Sequence, residues 1–210
     1  GNPLDGNGDG IGGDDFRRDF TVTSSNLLAN PNFDDGLSGW SAITVPPSEF
    51  GHSFIDADGS LFSGSAEISN LSGAGAVHEL RQCVPVSASA DGYEGVVRVR
   101  VDAAAGGLPW AEMEIRLYGQ PGCSGAVLDT AFSDMLVGQT LGTWVSLDSG
   151  LAGLPPTATS ARVVLRAGVD ADPPSEFVTN FDVARFQELD VLFADGFESG
   201  DTDAWSGVQP

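Results

Sequence analysis

The sequence contains no lysine, only two cysteines and two histidines, and no apolar run near the roughly 18 residues that cross a bilayer. Its nine basic residues are all arginine and stand against 30 acidic residues, so the formal net charge is -21. This charge argues against nucleic acid or an anionic membrane as the main partner and favours metal cations. We expect a soluble chain, without membrane insertion.

The composition also suggests where the protein works. Gly, Ala, Asp and Val are abundant and lysine is absent, as in exported proteins of bacteria with GC-rich genomes. No charged-then-apolar leader precedes Gly1, so we expect that a signal has been removed or lies upstream. We therefore expect a secreted protein, extracellular or on the cell surface.

Signatures of catalysis are scarce, and we expect no enzyme. The stretch HELRQ begins like a zinc-protease helix but has Gln82 where the second histidine belongs. Glu112 and Glu114 are spaced i, i+2, which puts two carboxylates about 7 Å apart on one strand face, near glycosidase separations. Neighbouring arginines are expected to keep both ionised, whereas a general acid needs a raised pKa.

Helical periodicity is also missing, because Gly or Pro interrupts almost every window of a dozen residues. Three segments instead alternate as strands: GVVRVRVDA, WAEMEIRLYG and SARVVLRAGV. Many short strands between Gly, Pro, Ser and Asp turns indicate an all-β, two-sheet antiparallel sandwich. The inward positions are expected to be Val97, Val99, Val101, Ala111, Met113, Ile115, Leu117, Val163, Leu165 and Ala167.

The opposite faces of these three strands carry five of the nine arginines, with two aromatic rings between them. Such a face can bind glycan, because rings stack on sugars and arginine recognises carboxylate or sulfate. The alternative is a cross-strand Arg/Glu ladder on a solvated sheet. The candidate ligand-binding residues are Arg98, Arg100, Trp110, Glu112, Glu114, Arg116, Tyr118, Arg162 and Arg166.

A series of motifs makes most of the chain recognisable: NLLANPNFDDGLSGWS, then GSAEIS, LRQCVPV, TWVSLDSG and NFDVARFQ. In this order they resemble the carbohydrate-binding-module jelly rolls of the galactose-binding-like type, over about residues 25–188. The resemblance implies a non-catalytic jelly roll, which we assign to residues 24–189, with a structural calcium between the first and last strands. Its ligands would include Asp34 and Asp182, completed by backbone oxygens.

The acidic stretch DGNGDGIGGDD suggests a second calcium site. Asp5, Asn7 and Asp9 occupy positions 1, 3 and 5 of a calcium-loop spacing, and Gly10 allows the sharp turn. The Ile11 carbonyl and either Asp14 or Asp15 would complete the shell, since position 12 is Phe16. The alternative is a solvated acidic linker.

The two ends are expected to be extensions of the sandwich. Residues 1–23 resemble the final loop and strand of bacterial Ig-like domains, so the DFRRDFTV strand would dock on a sheet edge or join another chain. Residues 190–210 resemble the GFESG-type tails of exported proteobacterial proteins. They would either pack Phe197 and Trp205 on the body or serve as a sorting tag or the stub of another domain. In an exported protein Cys83 and Cys123 are expected to pair, with two buried thiols as the alternative.

The sequence therefore predicts a calcium-stabilised, non-catalytic module that binds polysaccharide or cell-surface glycan, including acidic polysaccharide. A structural or adhesive assembly subunit, self-associating by strand addition through its N-terminal strand or its terminal segments, is the other hypothesis.

Overall fold

The computed structural model describes residues 25–70, 75–87, 90, 92–102, 108–152, 157–169 and 176–189. These residues form β-strands, turns and irregular segments. The strands are β1 (Ser41–Ile43), β2 (Glu49–Ser53), β3 (Ser65–Asn70), β4 (Val77–Pro85), β5 (Gly92–Asp102), β6 (Pro109–Gln120), β7 (Ser124–Phe132), β8 (Leu136–Val137), β9 (Val145–Ala152), β10 (Ser160–Val169) and β11 (Phe177–Leu189).

The strands form two antiparallel sheets. The six-stranded sheet has the order β1-β4-β10-β6-β7, with β8 also paired to β6, and the five-stranded sheet has the order β2-β3-β11-β5-β9. The predicted all-β jelly-roll sandwich is therefore confirmed. Within the described ranges there is no helix long and apolar enough to span a membrane.

The core lies between the two sheets and is built from the alternating strand positions. All ten inward residues expected from the three alternating segments are fully buried. Large aromatic residues add to them, and the Tyr93 and Phe186 rings stack with centroids 5.3 Å apart. Burial of these apolar side chains is the main driving force for closing the sandwich.

The opening segment is bound to the last strand. Asn26 Nδ2 donates to the Ala184 carbonyl at 2.8 Å, and its Oδ1 accepts from the Phe186 backbone N–H at 3.0 Å. The Ala184 backbone N–H donates to the Pro31 carbonyl at 2.9 Å. These contacts make the opening motif part of the sandwich.

The predicted disulfide is present. Cys83 on β4 is bonded to Cys123 in the turn between β6 and β7. Since β10 pairs with both β4 and β6, the bond crosses β10. The fold extensions expected at residues 1–23 and 190–210 lie outside the described residues.

Candidate functional site

A cluster of charged side chains covers the outward surface of the six-stranded sheet. The strand register places Arg166 between Glu79 and Glu112, and Arg162 next to Arg116. We use the name arginine face for the outward surface formed by Glu79, Arg81, Glu112, Glu114, Arg116, Arg162 and Arg166, with the rings of Trp110 and Tyr118. Its four arginines and three glutamates leave one net positive charge on a protein of charge -21.

The carboxylates of the arginine face lie beneath its guanidinium groups. Arg116 binds Glu114 in a bidentate manner, from Nε to Oε1 at 2.5 Å and from Nη2 to Oε2 at 2.7 Å. The Glu114 side chain is 5% exposed, whereas the Arg116 side chain is 22% exposed. Arg81 binds Glu79 differently, because its Nε and Nη2 both donate to the same oxygen, Oε2. A molecule that approaches this face therefore meets arginine first.

Arg166 connects the three glutamates. Its Nη1 donates to Glu112 Oε1 and lies 3.7 Å from Glu114 Oε2, and its Nε lies 3.5 Å from Glu79 Oε1. Arg166 Nε is buried and makes no hydrogen bond. Six of the seven charges, all except Arg162, therefore form one continuous network in which each glutamate is held by at least one guanidinium group.

The glutamate pair considered for hydrolysis is poorly placed for chemistry. Burial raises the pKa of Glu112, and the Arg166 charge only partly opposes this, so our expectation that arginine keeps Glu112 ionised was incomplete. The hydrogen bonds to Glu114, with burial opposing them, raise the pKa of Arg116. Glu112 and Glu114 are both buried below guanidinium groups, which blocks the close approach that acid-base catalysis requires.

Arg162 differs from the other arginines of this face. Its Nη2 donates to the Cys123 carbonyl at 2.9 Å, and its guanidinium carbon lies 5.1 Å from the centroid of the Tyr118 ring. The Cys123 backbone N–H donates in turn to Ser160 Oγ at 2.9 Å. Among the described residues no carboxylate forms a salt bridge with Arg162, so none of them neutralises its charge directly.

The two rings of the arginine face do not form an open stacking platform. Trp110 and Tyr118 are buried, and the guanidinium groups of Arg166 and Arg162 lie 5.7 Å and 5.1 Å from their centroids. Among the described residues, Phe132 is the exposed aromatic ring on this side; it is 52% exposed and pairs with Glu114 in the β6–β7 register. Sequence analysis missed Phe132 because the β7 segment has no strict polar and apolar alternation.

Two of the candidate residues lie elsewhere. Arg98 and Arg100 are on β5, which belongs to the five-stranded sheet. Arg98 Nη1 donates to the Ala57 carbonyl at 3.1 Å and to Asp58 Oδ1 at 3.0 Å, and Arg100 pairs with Asp102 at 2.5 Å. Because the outward faces of a sandwich point in opposite directions, the expectation that all five arginines share one face was wrong for these two.

Two members of the network were not predicted. Glu79 and Arg81 belong to the HELRQ stretch, which forms part of β4 rather than a helix. Within the same stretch His78 is buried, its Nε2 lies 2.7 Å from Asn70 Oδ1, and burial lowers its pKa. The alternation of Val77, Glu79, Arg81 and Cys83 on one side of the strand is the signal that could have identified the two charged residues.

The calcium ligands expected from the resemblance have different surroundings. Asp182 is fully buried, and its two carboxylate oxygens accept the backbone N–H groups of Ala57 at 2.8 Å and Val183 at 2.7 Å. Burial raises the pKa of Asp182 to about 6. Asp34 is exposed. In the described part of the chain no three His, Cys, Asp or Glu side chains are grouped to hold a metal.

The other expected metal ligands, Asp5, Asn7, Asp9, Ile11, Asp14 and Asp15, lie outside the described residues. Calcium binding therefore stays a prediction at both places.

Comparison with solved structures identifies the same fold in carbohydrate-binding modules. The CBM61 module complexed with β-1,4-galactotriose is 11% identical, with a TM-score of 0.53 over 79% of this chain and 99% of the module. The CBM22-1 xylan-binding domain of Paenibacillus barcinonensis Xyn10C is 12% identical, with a TM-score of 0.52 over 81% and 99%. The C-terminal family 22 carbohydrate binding module of Clostridium thermocellum Xyn10B is 17% identical, with a TM-score of 0.51 over 78% and 93%.

The enzymatically active domain of bacteriophage CBA120 tailspike protein 4 is also similar, at 14% identity and a TM-score of 0.54. That match covers 78% of this chain but only 21% of the tailspike chain, so the chain spans about a fifth of its length. No family profile and no curated protein matches the sequence. The fold of this chain is therefore that of β-sandwich carbohydrate-binding modules.

Proposed function

We propose that this protein is a non-catalytic module of an exported protein and that its arginine face binds an acidic polysaccharide. The observation that carries the proposal is Arg162, whose guanidinium group is oriented by the Cys123 carbonyl and the Tyr118 ring but has no carboxylate partner among the described residues. A carboxylate or sulfate group of a glycan would supply that partner through charge-assisted hydrogen bonds.

The network below Arg162 supports a binding role over a purely structural one. Buried ion pairs are often no more stabilising than apolar residues of the same size, so stability alone does not explain three buried glutamates under one sheet face. Their carboxylates fix Arg81, Arg116 and Arg166 in place. Groups held rigidly before binding lose less conformational entropy on contact with a ligand.

Phe132 offers the apolar contact that a sugar ring needs. It borders the arginine face at the register position of Glu114 and is half exposed. The aliphatic face of a sugar ring packs against an aromatic ring, while its carboxylate can reach a neighbouring guanidinium group. We infer that Phe132, rather than Trp110 or Tyr118, takes this role.

Affinity electrophoresis tests the proposal. The protein is run in gels that contain either a uronic-acid polysaccharide or a neutral one, at two salt concentrations. Retardation by the acidic polymer, weaker at high salt, is the expected result. Equal retardation by neutral polymers or none by the acidic one would refute the acidic specificity.

Calcium forms part of the proposal. The spacing of Asp5, Asn7 and Asp9 supports one site, and the buried carboxylate of Asp182 on β11 supports another. A calcium ion at Asp34 and Asp182 would tie the opening segment to β11 and neutralise a buried charge. Its removal by a chelator should then destabilise the fold.

An assembly subunit is the second candidate function, and the edge strand β7 favours it. β7 is the last strand in the order of the six-stranded sheet, and it exposes Val127, Leu128 and Phe132. Exposed apolar edge strands are sites of strand addition. Size-exclusion chromatography with light scattering distinguishes the two functions, because an assembly subunit would form concentration-dependent oligomers without sugar. Val127→Lys would disrupt these oligomers.

A further inference from the structure

A concavity lies on the opposite side of the sandwich, on the outward face of the five-stranded sheet. Its volume is about 290 Å³, and three neighbouring strands line it. β5 contributes Val96 and Arg98, β9 contributes Ser146, and β11 contributes Val183 and Arg185. We call it the valine concavity.

The backbone at Val183 is unusual. Its φ is 47°, in the left-handed region that β-branched residues avoid. The pairing of β11 with β5 shifts register between Asp182 and Arg185, and Asp182 Oδ1 accepts the Val183 N–H at 2.7 Å. Strained residues and β-bulges concentrate at ligand-binding sites, since packing elsewhere does not require them. Here they place a valine in the lining of a concavity.

The polar groups of the lining are held in position but stay accessible. Arg98 donates to the Ala57 carbonyl and to Asp58, and Arg185 lies 3.4 Å from Glu94. The side chains of Arg98 and Arg185 remain 37% and 50% exposed. Each guanidinium group therefore has N–H donors directed toward solvent.

The charges of the lining are balanced by their neighbours. Arg98 has Asp58 and Arg185 has Glu94 as a salt-bridge partner, and the acidic Asp148 pairs with Val96 in the strand register. The surroundings therefore do not attract an anion. A ligand with hydroxyl groups and an aliphatic face, but without charge, matches this lining better.

We propose that the valine concavity binds a single neutral pyranose unit. The aliphatic face of the sugar would rest on Val96 and Val183, and its hydroxyl groups would accept from Arg98 and Arg185 and bond with Ser146. The volume, at the small end of ligand pockets, suits one sugar ring rather than a chain. This site is separate from the arginine face, so it does not depend on the acidic-polysaccharide proposal.

Saturation-transfer NMR on the full chain tests the proposal, with the methyl glycosides of galactose, glucose, mannose and xylose as probes at millimolar concentration. We expect transfer to at least one of them. Ser146→Ala should weaken the affinity about two- to tenfold, the effect of one neutral hydrogen bond, and Arg98→Gln should weaken it at least as much. Arg100→Gln, on the same sheet but outside the lining, is the matched control and should bind as the wild type does.

Val183→Gly separates binding from folding. Glycine adopts a positive φ without strain, so this variant should not melt at a much lower temperature, yet it removes part of the aliphatic floor and should lose saturation transfer. Absence of transfer to all four probes in the wild type would overturn the proposal. Transfer that persists in Val183→Gly, or an affinity that Ser146→Ala leaves unchanged, would also overturn it, because the sugar would then bind elsewhere.

Discussion

Arg116 and Glu114 form a bidentate ion pair, with Nε to Oε1 at 2.5 Å and Nη2 to Oε2 at 2.7 Å, in which the carboxylate is buried and the guanidinium group reaches the surface. Both residues lie on β6 two positions apart, so the pair forms along one strand. The two residues therefore have different roles in the arginine face: the buried Glu114 holds the guanidinium group in place, and Arg116 presents that group to a ligand.

Arg116→Ala should lower the free energy of unfolding by about 3 kcal/mol, since it leaves the buried Glu114 carboxylate without its main partner. This value is at the low end of what the loss of one partner of a buried ion pair costs, because the Arg166 guanidinium group remains 3.7 Å from the Glu114 carboxylate. Urea unfolding measures the effect. The double variant Arg116→Met/Glu114→Leu is the control, as it removes both charges and should recover most of the stability. A single variant as stable as the wild type would show that the pair is solvated.

The buried carboxylate of Asp182 should make stability depend on pH. The pKa of Asp182 is raised from 3.8 to about 6 in the folded state. The protonated carboxyl group therefore stabilises the fold fully at pH values below the pKa of the unfolded chain. This contribution is lost as pH rises through about 6. In the presence of a chelator, lowering the pH from about 7 to about 4 should therefore raise the free energy of unfolding of the wild type by up to about 3 kcal/mol relative to that of Asp182→Asn. Urea unfolding of both proteins at each pH gives the difference between their free energies of unfolding. Other groups that titrate, such as His78, are present in both proteins, so their contributions cancel in this difference. A difference that does not change with pH would contradict the buried position of Asp182.

Breaking the disulfide should affect both stability and binding. In the chain-entropy model a bond that closes a loop of 40 residues stabilises the fold by about 4 kcal/mol. Cys83→Ser/Cys123→Ser should unfold at correspondingly lower urea. It should also bind the acidic polysaccharide more weakly, because the Cys123 carbonyl orients Arg162. Unchanged binding by a folded double variant would show that the bond has no part in the arginine face.

A chelator should lower the melting temperature, since an ion that binds only the folded state stabilises it by about 2.7 kcal/mol at one hundred times its Kd. Scanning calorimetry with and without calcium measures this effect, and magnesium is the control ion. Asp5→Asn/Asp9→Asn and Asp34→Asn separate the two predicted sites. The calcium prediction fails if the transition is the same with calcium and in excess chelator.

The fold could be largely predicted from the sequence. Alternation in β5, β6 and β10 identified inward residues such as Val99, Met113 and Leu165 correctly, because strand geometry alone places side chains on opposite faces. The pairing of Cys83 with Cys123 was also predicted correctly.

The arrangement of the site could be predicted only in part. Alternation does not say to which sheet a strand belongs, so the Arg98 and Arg100 face of β5 was grouped with that of β6 and β10. Outward position was also taken to mean solvated, yet Glu112 and Glu114 are buried because long arginine side chains cover them. Both errors concern contacts between distant segments, which local periodicity does not encode.

The central claim is that the arginine face recognises an acidic glycan through Arg162, and calorimetric titration with oligogalacturonate tests it most directly. Arg162→Gln should weaken binding about ten- to a hundredfold, the loss of one charge-assisted contact. Arg100→Gln, which removes an equal charge on the opposite face of the sandwich, should change it little. If oligogalacturonate binds Arg162→Gln as tightly as wild type, or if both variants weaken binding equally, the arginine face is a structural network and the account is wrong.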